Sequence, residues 1–298
     1  MKQIKILHLL VLGLLCWSCA VAQTPEKEEN KAGKAANKEI EACEPEPLTA
    51  PPASELKTLA EGANSRIETP FVFVARDSRT FELLKERVEG LPSASSIDFS
   101  REAVVAVFAG TKNTGGYSVE IKISGETVSA SVAAPPADAV VTQALTSPFK
   151  VALVPVEEEK SLNLSVSDEL KNGAKTFRVA SGEFMYSGGF APREKRFAAE
   201  GTILVMQAGD LVTLDFELAG KAAEDKAMKL TETASGILKD GKIELSRLDA
   251  GSFSEGPKPP VRVSGKMSEN RLELKFEPLP TNVSDGFSVE GKLQAVND

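Results

Sequence analysis

Hydrophobic residues change their spacing three times along this chain. Residues 6–15 form a short apolar run behind Lys2 and Lys5, and between 23 and 62 large apolar residues almost vanish. From Phe71 onward the spacing becomes that of strands. Phe71, Val72, Phe73 and Val74 read as a buried strand. Asp77 or Ser78 then caps a helix with Phe81, Leu84 and Val88 on one face, and Gly90 and Pro92 end it. Val104, Val105, Val107 and Phe108 make the near-continuous run of a strand covered on both faces. Tyr117, Val119 and Ile121 alternate with Ser118, Glu120 and Lys122, as in a half-buried strand. A hairpin turning at Ser124-Gly125-Glu126 returns through residues 128–132, and Pro135 and Pro136 stop it. Residues 150–156 supply a last strand, and 161–166 a further one. One helix among antiparallel strands predicts a small α+β domain over 63–157.

The charged run Glu157-Glu158-Glu159-Lys160 and Asn172-Gly173 mark a boundary over 158–174. Beyond it, 175–298 reads as all-β. Gly201, Gly236, Gly265 and Gly291 each sit inside an alternating strand, and Asp240-Gly241 and Glu269-Asn270 give hairpin turns. Glycines recurring inside strands mark sharp bends in a sheet. The expectation is an antiparallel up-and-down barrel or a two-sheet sandwich.

The two strands at 104–121 flank a glycine-rich loop, Gly110-Thr-Lys-Asn-Thr-Gly-Gly-Tyr117. Two readings stand: a strained connection with Tyr117 packed beneath it, or an exposed recognition loop on a rigid sheet. Under the second, Lys112, Thr114, Gly115, Gly116 and Tyr117 are the partner-binding residues. Gly115 and Gly116 are expected at backbone angles that a Cβ disfavours, with Lys112 and Thr114 at the loop tip.

The run from the hydrophobic strand through Thr114-Gly115-Gly116-Tyr117 resembles the signature of the PrcB C-terminal-domain family. Val141-Thr-Gln-Ala-Leu-Thr-Ser-Pro-Phe149 is similar to that family's second signature. The resemblance covers roughly 65–157. It implies a non-catalytic subunit that stabilises a protease complex at the cell surface, held there by a lipid. Asn113-Thr-Gly-Gly-Tyr117 is also similar to a loop of chagasin-type cysteine-peptidase inhibitors, which implies inhibition as an alternative. A basic loop, Tyr186–Arg196 in sequence, begins like the metalloprotease inhibitor emfourin, but the strand-like sequence after it does not fit that family.

Composition narrows the chemistry. Residues 1–22 have the charged start and short apolar core of a secretory leader, with Ala20-Val21-Ala22 as a small-residue cleavage site. Lipidation at Cys19 is the rival outcome, and both readings imply export to a periplasm or cell surface. Residues 23–62, with Pro45, Pro47, Pro51 and Pro52, form a disordered linker carrying Cys43. His8, Trp17, Cys16 and Cys19 all lie in the leader. The mature chain therefore has no histidine and one cysteine, which excludes Ser-His-Asp and Cys-His catalysis and His-containing zinc sites. The formal charge of −8 argues against nucleic acid as a partner. The membrane would be reached only through a lipid on Cys19. Ser147-x-x-Lys150 has an acyl-enzyme spacing, but Pro148 and the β-branched run favour a strand over the helical turn that this chemistry needs. Asp215 and Glu217 share a strand face, read as the wet face of a sheet. No metal, cofactor or catalytic residue is expected. The leading expectation is a protein-binding accessory chain, with a small-ligand carrier in the β domain as a further alternative.

Overall fold

The computed structural model describes residues 56–125, 127–156, 162–187, 195–221, 227–249, 252–253, 260–279 and 288–297. The leader, Cys19, Cys43, most of the linker and most of the basic loop after Tyr186 lie outside the described residues.

The first lobe contains β1 (Lys57–Gly62), β2 (Pro70–Ala75), α1 (Ser78–Lys85), β3 (Glu102–Ala109), β4 (Ser118–Ser124), β5 (Thr127–Ala133), β6 (Phe149–Pro155) and β7 (Asn163–Val166). β1, β6, β3 and β2 form one antiparallel sheet in that order. β3 is central and wholly buried from Ala103 to Ala109, as its unbroken apolar sequence requires. Asp77 caps α1, its Oδ1 accepting from the Thr80 N–H at 2.7 Å, and Phe81 and Leu84 point into the core. β1 lies inside the stretch assigned to the linker. Its weak sequence signal, with only Leu59 and Ala60 half-buried, is offset by pairing with β6 far along the chain.

The strands flanking the glycine loop do not pair with each other. β4 joins a separate three-stranded sheet, β4-β5-β7, in which β5 and β7 run parallel. Alternation reports which face of a strand is buried, and it carries no information about the neighbour across a loop. The segment after β7 also serves this lobe, because Leu170 is fully buried in its core.

The second lobe comprises β8 (Lys175–Ser187), β9 (Lys195–Ala208), β10 (Leu211–Lys221), β11 (Ala227–Lys239), β12 (Lys242–Asp249), the two-residue β13 (Ser252–Phe253), β14 (Pro260–Met267), β15 (Arg271–Pro278) and β16 (Ser288–Asn297). Eight of these strands form an antiparallel up-and-down barrel, closed by pairing of β16 with β8. The barrel, not the sandwich, is the outcome, and the strand glycines show why. A Cβ on Gly236 would lie 2.0 Å from the Glu244 carbonyl oxygen, and one on Gly265 would lie 2.1 Å from that of Glu273. The wall bends there until backbones nearly touch. Phe177, Phe184, Phe197, Phe216 and Phe276 are buried in the interior, Phe184 meeting Phe276 edge-on at 4.8 Å.

The lobes share a polar seam. β2 is the outer strand of its sheet, and its free edge lies against β9, β10 and β11. Thr213 Oγ1 donates to the Val72 carbonyl at 2.7 Å, and Ser235 Oγ accepts from the Val74 N–H at 2.7 Å. The two hydroxyls are also 2.7 Å apart. Barrel side chains thus satisfy the unpaired backbone of an edge strand. Beyond this seam, β11 pairs with β12 only from Gly236 to Lys239, leaving its earlier residues unpaired with that neighbour. At that opening Arg76 forms a buried ion pair with Glu232, and Asp77 Oδ2 accepts from the Arg247 N–H at 3.2 Å.

A candidate protein-docking loop

Gly110 ends β3 with φ of +72°, and Thr111 N–H donates to the Glu68 carbonyl at 2.8 Å. From there the loop 110–117 lies under a second loop, 134–148, that joins β5 to β6. Backbone bonds run both ways between Lys112 and Thr146, at 2.7 and 3.0 Å. Gly115 N–H donates to the Thr142 carbonyl at 3.0 Å, and Thr146 Oγ1 donates to the Thr114 carbonyl at 2.9 Å. The two sequence signatures are therefore the two halves of one hydrogen-bonded platform.

The structure brings all five predicted loop residues together but redistributes their duties. Lys112, expected at the loop tip, has a side chain only 12% exposed. Its ammonium pairs with Glu169 and lies 5.3 Å from the centre of the Tyr117 ring. Glu169 comes from the turn after β7, and nothing local to Lys112 in sequence announces it. Tyr117 is half-buried beneath this cation, and Thr114 is half-buried as well. Gly116 has the expected positive φ, +86°. Gly115 does not. Its requirement is space, since a Cβ there would meet Thr142 Oγ1 at 2.4 Å.

The remaining candidates fall to structural duties. Ser147 sits in the second loop, and Lys150 lies in β6 with its Nζ 3.2 Å from Glu61, so the pair lacks a helical turn. Asp215 and Glu217 correct the wet-face reading. Glu217 is exposed, but Asp215 is largely covered and accepts from Thr233 Oγ1 at 2.7 Å. Burial pushes the Asp215 carboxyl up to about 6, and the nearby Glu217 charge adds to this. The Thr233 hydrogen bond and Lys171 oppose the shift. Of the basic loop, Arg196 is described, and its Nη1 lies 3.3 Å from Glu183. Among the described residues no group of acidic, cysteine or histidine side chains is placed to hold a metal, and no helix is long and apolar enough to cross a membrane.

Sequence reasoning found both ends of the platform but missed the character of the second loop. Val140 is fully exposed and Leu145 is 70% exposed. The signal was present as apolar residues lying between proline breaks in a segment with no strand period.

No curated protein and no solved structure matches the chain. Residues 103–155, which run from β3 through the glycine loop, β4, β5 and the second loop to β6, match the PrcB C-terminal family over this segment of the chain.

Proposed function

We propose that this chain is an exported, non-catalytic accessory subunit that docks onto a protease complex through the platform built on Lys112, Thr114, Gly115, Gly116 and Tyr117. The match of residues 103–155 carries this reading, because it contains both loops of the platform together with the strands that hold them. The rigid support of the loops by β3 and β6 favours it, since binding residues are commonly carried on loops above a fixed sheet. The packed phenylalanines of the barrel interior give the carrier alternative no support. The leader fits export, by cleavage after Ala22 or with a lipid on Cys19, and with the lipid the linker would serve as a tether that holds the two lobes away from a membrane.

The test is purification of the chain from its native host, with its N-terminus read by intact mass and its co-purifying proteins identified. The expected form starts at Gln23 or carries a lipid on Cys19, and a peptidase travels with it. Deleting the chain should then shorten the lifetime of that peptidase. If the purified chain suppresses peptidase turnover instead, the inhibitor alternative replaces this reading.

A further inference from the structure

We infer that the partner is gripped by Val140 and Leu145 on the second loop, and that the glycine loop is the base that holds them out rather than the contact itself. This rests on the docking role proposed above and names the part of the platform that performs it.

Three observations lead there. First, the loop 134–148 is held at a few points while most of its residues stay exposed. Val141 is turned inward, its Cγ1 3.0 Å from where a Gly116 Cβ would be, and the Thr142 carbonyl and Thr146 backbone are bonded to the glycine loop. Val140, just before these anchors, and Leu145, between Thr142 and Thr146, point away with relative exposures of 103% and 70%. Large apolar side chains held in water by an anchored backbone gain from burial against a partner, and little ordering entropy remains to oppose it. Second, the glycine loop has little left to offer. Lys112 is engaged by Glu169 and Tyr117, Gly115 is buried, and the Thr114 carbonyl is bonded to Thr146. Third, the loop 134–148 carries a single charged residue, Asp138, in a chain of formal charge −8. A surface of this kind fits an apolar recess on a protein partner. It does not fit a charged ligand, and its association should respond weakly to salt. The occupant is therefore a protein of the protease complex that presents such a recess.

The experiment places a photo-crosslinking residue singly at Val140, Leu145, Asn113 or Lys266 in the full chain, expressed in the native host. Asn113 is exposed on the glycine loop, and Lys266 is exposed on the barrel. Crosslinked proteins are identified by mass spectrometry. Expected are adducts from positions 140 and 145 to the same protease-complex subunit, weak or none from 113, and none from 266. The Val140→Ser/Leu145→Ser variant should melt with the parent, because neither side chain is packed. It should retain on the order of a tenth or less of the co-purifying subunit, in line with the loss of interface anchors. The parent's yield should change little on raising the salt to about 0.5 M, where the screening length is short. Adducts to a protease subunit from 113 alone, with full capture by the double serine variant, would overturn this inference and leave the docking role standing. Adducts from 140 and 145 to a second copy of the chain would overturn the inference and the docking role together.

Discussion

Removing the guanidinium of Arg76 should destabilise the whole described molecule. Glu232 faces the barrel interior by strand alternation, opposite Phe216 and in line with Leu230 and Ala234. Its side chain has no exposure, that of Arg76 has 8%, and Glu232 Oε2 has no hydrogen-bond partner. Arg76 approaches from the other lobe, at the opening where β11 and β12 are unpaired. In Arg76→Met the carboxylate stays buried without its cation. Breaking such a pair from one side costs about 3–5 kcal/mol. For a protein of this size each kcal/mol moves the melting temperature by roughly 2–4 °C, so a fall on the order of 10 °C is expected. The double variant Arg76→Met/Glu232→Leu removes both charges and should recover most of the loss, since apolar replacement of a buried pair is often neutral. Urea and thermal denaturation of parent, singles and double close the cycle. The deficit of Arg76→Met should also shrink at acid pH. An unpaired buried carboxyl has a raised folded-state pKa, so its penalty is full at neutral pH and disappears below the unfolded value of about 4.3. An Arg76→Met melt within about 2 °C of the parent, or a double variant that loses the sum of both singles, would refute the reasoning.

Three further outcomes follow from the same structure. Asp215→Asn should stabilise at pH 7.5 by on the order of 2–3 kcal/mol and have little effect near pH 4. Its carboxyl is raised to about 6 by burial, so the charged form costs stability above that value and the cost is gone once both states are protonated; equal gains at both pH values in chemical denaturation would reject this. Gly236→Ala should cost more than about 3 kcal/mol by overpacking against the Glu244 carbonyl, whereas Gly209→Ala, with open space around it, should show only the smaller strain of its φ of +63°. Comparing their urea midpoints decides. A fragment beginning at Lys175 should give a β-type circular dichroism spectrum and a cooperative melt, because it keeps the whole barrel core, but its midpoint should lie below that of the full chain, since it loses Arg76 beside Glu232 and uncovers Met206 and Leu211. An unfolded fragment would show that the barrel depends on the first lobe.

Local patterns were sufficient wherever a residue's role depends on its own strand or helix. The unbroken run at 103–109 required a strand covered on both faces. Asp77 or Ser78 ahead of Phe81 and Leu84 required a capped helix, and the structure gives the cap to Asp77. Glycines inside alternating segments required a sharply bent sheet, though its closure into a barrel rather than a sandwich was decided by the tertiary structure. Each of these is set by the steric and solvation demands of neighbouring residues, and those demands are written in order along the chain. Tertiary structure alone decided the remainder, because it concerns pairs far apart in sequence. Lys112 was drawn from the loop tip by Glu169, Asp215 was largely covered and bonded to Thr233, and β1 was ordered by β6. The flanking strands of the glycine loop went to different sheets. The free edge of β2 found its partners in Thr213 and Ser235, more than a hundred residues downstream. Such contacts form when two surfaces meet, and the period of either sequence says only that a surface is there.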